Sequence, residues 1–142
     1  MKDIPENIKG FISTNQIASV CFVDENKFPY CINCFFAVDI VNKLIVFKSS
    51  TGTRHHAHTL AKAPIAGTIL PEKIEKLKIR GAQFNATILS NEELISFNCS
   101  ATYYKQYPFA LAMPGYIWAA NLNFIKFTDN TLGFGNKTIW PS

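Results

Sequence analysis

The chain has 142 residues, enough for one domain with a substantial core, and 48% of them are hydrophobic while only 17% are charged. The net charge of +4 is scattered, with Lys73, Lys76 and Lys78 interrupted by Ile74 and Leu77, so no basic stripe with stacking aromatics marks a nucleic-acid binder. The opening MKDIPENIKG lacks a signal-peptide core and no segment approaches 18 apolar residues, which predicts a cytoplasmic protein without a membrane partner and with four free thiols.

Asp3, Pro5 and Glu6 read as a helix start with a capping box, and Ile4, Ile8, Phe11 and Ile12 keep helical spacing, which predicts a helix over 4–14. A β-rich run over 17–24, a polar turn and a second strand over 30–39 follow. On that second strand Tyr30, Ile32, Cys34, Phe36 and Val38 share an apolar face, and Cys31, Asn33, Phe35, Ala37 and Asp39 share the other. An Asn beside a Phe in mid-strand points to a pocket or interface. Cys31 and Cys34 form a lone C-x-x-C whose members face opposite ways in a strand, and no second pair or nearby His completes a tetrahedral site, so they read as packed thiols.

A strand over 44–48 leads into KSSTGTRHHAHTL, which holds Lys48, Ser49, Arg54 and all three His of the chain. A strand that breaks into a hydroxyl-rich turn and opens a helix, here predicted over 54–63 before Pro64, presents backbone N–H groups at one point, with Arg54 and a protonatable His55 beside them. That is either a seat for a phosphate-like anion or a turn that caps a helix. His55 and His58 lie one helical turn apart, but no carboxylate within ten residues completes a metal site.

Further on, the sequence predicts a strand over 65–70 and a long strand over 75–89. Its apolar phase flips near Gly81, as at a bulge. Ser90 with Glu93 makes a capping box that opens a helix to about residue 104. The segment 108–114 reads as irregular or as a short helix. Strands over 116–122 and 124–129, a turn at Gly133 and Gly135, and a strand over 137–140 close the chain. The fold class is mainly β: a small barrel of six to seven mostly antiparallel strands with about three flanking helices, in one domain over 1–142. Twelve Phe, five Tyr and two Trp exceed the needs of one small core and predict an aromatic-walled pocket or a dimer interface.

The element order, with IKFTDNTLGFGNKTIW at 125–140, AGTI at 66–69, IRGAQF at 79–84 and Thr53–His55, resembles the FMN-binding split barrel of the pyridoxamine 5'-phosphate oxidase superfamily, and within it the YhbP-like group. The resemblance implies a cytoplasmic homodimer with FMN at the subunit interface, serving as an oxidoreductase of small molecules. It places Asn33 and Phe35 on the strand along the flavin, with Asn33 where the oxidases carry an Arg. Lys48 and Ser49 fall near the phosphate, and Arg54 and His55 where an Arg–Lys pair grips it. Lys76 falls where a Gln stands, and Trp118 where a Trp reaches across the dimer. The oxidases' C-terminal Arg and His have no counterpart, so pyridoxamine phosphate is not the implied substrate, and no catalytic residue is assigned. Two alternatives stay open: a split barrel that binds haem or another ligand without redox activity, and a cofactor-free dimer.

Overall fold

The computed structural model describes residues 2–50, 61–133 and 135–142. Helix α1 (Glu6–Thr14) precedes strands β1 (Ile17–Val23), β2 (Pro29–Asp39), β3 (Leu44–Ser49), β4 (Pro64–Ile69) and β5 (Arg80–Ile88). Helices α2 (Asn91–Ser96) and α3 (Cys99–Gln106), a 3-10 segment (Pro108–Ala112), and strands β6 (Tyr116–Asp129) and β7 (Lys137–Trp140) complete the order. All pairings are antiparallel, in the order β3-β2-β1-β4-β5-β6-β7. The first half of β6 also pairs with β3, Phe47 opposite Trp118, which closes six strands into a barrel and leaves β7 as an added strand. This is the mainly β split barrel that the sequence predicts, with three helices among the described residues.

Strand parity builds two separate cores. Phe36 from β2, Ile45 and Phe47 from β3, Phe84 from β5 and Trp118 from β6 turn into the barrel, and Ile8, Phe11 and Ile12 of α1 pack against the same cluster. Ala37, Leu44, Val46 and Ala119 face outward and are buried by Cys99, Tyr103 and Tyr107, from and just after α3. The barrel interior is full. Its residual cavity, lined by Ile12, Ile45, Phe84 and Leu122 among others, is about 10 Å³, roughly the size that one water needs and without polar partners to hold it. The barrel interior therefore has no room for a small-molecule ligand.

Several boundaries differ from the sequence expectations. The Asp3 capping box is absent, because Pro5 in extended geometry (φ −58°, ψ 151°) becomes the cap and has no side-chain acceptor for the helix start. The long strand over 75–89 begins only at Arg80. Residues 75–79 lie past the ends of both neighbouring strands, and Leu77 is 91% exposed. The apparent phase change at Gly81 is thus a loop joining a strand. The true irregularity lies between Asn85 and Ala86, where β6 carries Asn123 as the extra residue. For the same reason 116–122 and 124–129 are one bulged strand. The helix expected from Ser90 to about residue 104 is two helices, broken at Asn98, which sits in left-handed geometry (φ 51°). The capping box of Ser90 and Glu93 does form. Of the helix expected over 54–63, Ala61 and Lys62 form a turn, and residues 54–60 lie outside the described residues.

Candidate functional site

Two elements with no sequence proximity form a groove on the outside of the barrel. One wall is the outward face of β2 with the end of β3; the other is the chain just after α3. Asn33, Phe35, Lys48, Ser50, Phe109 and Met113 are among the lining residues, and the groove encloses about 250 Å³. Among the described residues it unites three of the positions singled out from sequence: Asn33, Phe35 and Lys48.

Each wall is held by identifiable bonds. The Lys48 ammonium donates to the carbonyl oxygens of Ala110 at 2.7 Å and Met113 at 2.8 Å, and its Nζ lies 4.9 Å from the centroid of the Tyr104 ring. One cation thereby fixes the middle and the C-terminal end of the 3-10 segment to β3. Gly115, at φ 137°, brings the backbone hard against the Ser49 carbonyl, where a Cβ has no room. The Tyr107 hydroxyl donates to the Phe36 carbonyl oxygen, and the Phe35 ring meets the Tyr107 ring edge-on at 5.5 Å. Burial, then the neighbouring Tyr103, push the Tyr107 phenol up to about 12. It stays a neutral donor at ordinary pH. On β2, Asn33 Oδ1 accepts from Ser19 Oγ at 2.6 Å, so its –NH₂ group is the end presented away from Ser19.

Phe109 (63% exposed), Met113 (56%) and Phe35 (42%) leave the groove with an apolar rim beside one positive charge. That combination suits a flat, largely apolar group carrying an anion. The sequence did not mark Tyr103, Phe109, Met113 or Pro114 as site residues. The excess of aromatic residues was the available signal.

Other positions singled out from sequence stand elsewhere. Ser49 is buried, because strand parity turns Lys48 and Ser50 outward and Ser49 into the barrel. Trp118 is not a side chain that reaches across to a partner. It is 1% exposed, stacks on Phe47 at 4.3 Å and donates from Nε1 to Ser49 Oγ at 2.7 Å. Lys76 sits on the exposed turn before β5 and does not line the groove. Arg54 and His55, with His56 and His58, lie outside the described residues.

The C-x-x-C residues do face opposite ways, but they are not both packed. Cys34 is half-buried, and burial pushes its thiol up to about 12. Cys31 is exposed and meets Cys21, its directly opposed residue on β1. All four cysteines are free thiols. Among the described residues no cluster of three or more His, Cys, Asp or Glu could hold a metal ion, and no helix is long and apolar enough to cross a membrane.

The chain is 33% identical over 133 residues to the UPF0306 protein YhbP of Salmonella schwarzengrund, covering 94% of this chain and 90% of the relative. No protein-family model matches the sequence. Among solved structures, a haem-binding protein from Mycobacterium smegmatis aligns with a TM-score of 0.72 at 10% identity, over 94% of this chain and 56% of the other. A protein of the pyridoxinephosphate oxidase family from Clostridium acetobutylicum, related to general stress protein 26, aligns with a TM-score of 0.58 at 14% identity, over 94% and 91%. At these identities the structural likeness speaks to the fold alone.

Proposed function

The chain belongs to the UPF0306 (YhbP) family, and from that premise we propose that it is an FMN-binding split barrel acting as a small-molecule oxidoreductase. It holds the flavin in the outer groove, and a second copy of the chain completes that groove. The observation that carries this reading is the convergence of Asn33, Phe35 and Lys48 on one groove with an apolar rim. Those residues fit the group in kind. Phe35, Phe109 and Met113 offer a flat apolar wall for a ring system, the Asn33 amide offers a hydrogen-bonding group for its polar edge, and Lys48 places a positive charge at one end. FMN, when bound, supplies hydride or electron transfer, while the chain binds it, orients it and excludes water.

The size of the groove supports a second copy. Sites that bury a drug-sized ligand enclose roughly 300–1,000 Å³, and one protomer offers about 250 Å³. Phe109, Leu111 and Met113 are each more than half exposed around it, as suits a surface that a partner protomer covers. The C. acetobutylicum neighbour of the pyridoxinephosphate oxidase family lends the fold-level analogy.

Haem is the second reading. It is favoured by the apolar character of the rim and by the likeness to the M. smegmatis haem-binding protein. Visible absorption of purified protein titrated with FMN, and separately with haemin, separates the two. A shifted flavin band with saturable binding supports FMN. A Soret shift with haemin and no response to FMN supports haem and overturns the first reading. The Arg54→Ala variant carries the phosphate test: loss of a charge-assisted contact weakens FMN by about 2 kcal/mol, roughly 30-fold. Unchanged affinity removes Arg54 from the site.

A further inference from the structure

The outward face of β1 and β2 carries a ladder of directly opposed pairs: Ile17 with Phe35, Ser19 with Asn33, and Cys21 with Cys31. The Phe36 backbone N–H donates to the Gln16 carbonyl oxygen at 2.9 Å. In the same register Gln16 and Phe36 are opposed, so they form a hydrogen-bonded pair. Pairs alternate along an antiparallel ladder, which makes Cys21 and Cys31 a non-hydrogen-bonded pair, the kind whose side chains stand closer. Cα atoms in such pairs are about 4.5 Å apart, inside the roughly 4.4–6.8 Å that a disulfide spans. The two sulfurs are 2.7 Å apart, Cys31 is exposed and Cys21 is half-buried.

We infer that Cys21 and Cys31 form a reversible dithiol–disulfide site on the outer face of the barrel, which takes small disulfides of the glutathione type as its oxidant. The site lies one ladder step from Ser19 and Asn33. Asn33 lines the groove, but the inference does not depend on which cofactor that groove holds.

The chemistry balances with the oxidant named. The hydrogen bond with Cys31, and then burial, push the Cys21 thiol up, so Cys21 keeps its proton and the exposed Cys31 attacks first. The Cys31 thiolate attacks one sulfur of the small disulfide, the S–S bond breaks and one small thiolate leaves, forming a mixed disulfide on Cys31. The Cys21 thiolate then attacks the Cys31 sulfur and expels the second small thiolate. Two electrons pass from the protein thiols to the small disulfide, and the two protons end on the two released small thiols. The other two cysteines are poor competitors, because burial pushes Cys34 up to about 12 and Cys99 up to about 11.

The test treats the intact, native protein with glutathione disulfide, blocks remaining thiols with iodoacetamide under denaturing conditions, and maps tryptic peptides by mass spectrometry. Cleavage after Lys27 separates Cys21 from Cys31, so a link between the two peptides is diagnostic, and fragmentation distinguishes Cys31 from Cys34. The expected result is loss of two of the four thiols, an intramolecular Cys21–Cys31 link, and recovery of both thiols on adding reduced glutathione. The Cys21→Ser variant, unable to resolve the mixed disulfide, is expected to trap glutathione on Cys31. Four alkylated thiols in the parent overturn the inference, as does a link between two chains. A Cys21→Ser protein with unmodified Cys31 overturns the order of attack.

Discussion

The Trp118 indole N–H donates to the Ser49 hydroxyl oxygen at 2.7 Å inside the barrel, across the β3–β6 pairing that closes it. Phe47 stacks on the same indole at 4.3 Å. Removing the acceptor leaves the indole's one donor without this partner where water does not reach. Ser49→Ala is therefore expected to lower stability by about 1–3 kcal/mol, read as a drop in the urea midpoint with an unchanged slope. An unchanged midpoint would show that this bond does not hold the barrel seam.

Lys48 acts first on the protein's own backbone. Its ammonium joins β3 to the Ala110 and Met113 carbonyls, so the groove wall depends on it before any ligand does. Lys48→Met keeps the aliphatic stem and removes both bonds. Faster amide hydrogen exchange is expected over residues 110–116, with little change in the remote strands β4 and β5. Exchange that rises uniformly over the barrel would mean that Lys48 supports global stability and not this wall.

Gly67 explains part of the AGTI segment. A Cβ there would lie 2.6 Å from a ring carbon of the buried Phe84 and 2.7 Å from the Ser19 carbonyl oxygen. Neither neighbour yields easily, since one is a packed core ring and the other is backbone on an adjacent strand. Gly67→Ala is expected to cost about 1–3 kcal/mol by overpacking, measured by thermal or urea unfolding. A variant as stable as the parent would show that β4 shifts freely against β1 and β5.

Glu93 is expected to contribute to the acid limb of stability. A hydrogen bond from Lys62, followed by the Ser90 backbone and hydroxyl bonds, lowers its carboxyl from 4.5 to about 2. A folded-state value below the unfolded one adds stability that is fully present above the unfolded value and is lost as pH falls through the folded one. The parent is expected to lose that contribution between about pH 4.5 and about pH 2, and Glu93→Gln to show a flatter profile over that window. Parallel profiles for the two proteins would rule this carboxylate out as the source.

The sequence marked the barrel through local signals that survive folding. Alternation on 30–38 assigned the inward face of β2 correctly, because side-chain parity in a strand is a backbone property. The capping box of Ser90 and Glu93 was legible because both partners lie within one turn. The same local logic failed where an element needs a neighbour. Residues 75–79 have strand-like composition but no strand beside them, and a bulge at Asn123 shows only once β5 and β6 are paired.

The groove divides in the same way. Asn33 and Phe35 were legible as neighbours on the mixed face of β2, Lys48 was singled out through the family resemblance, and the Cys31–Cys34 spacing correctly placed those thiols on opposite faces. That Trp118 would turn inward onto Ser49 was decided by the β3–β6 register, which places it opposite Phe47. That Lys48 would bind two carbonyls more than 60 residues away, and that Cys31 would meet Cys21 and not Cys34, were likewise decided by long-range pairing. By itself the sequence determined the faces of β2, the Ser90 cap and the barrel class, since these follow from the spacing of neighbours along the chain. Only the tertiary structure decided which side chains meet, because closing six strands fixes partners across distances that no local pattern encodes.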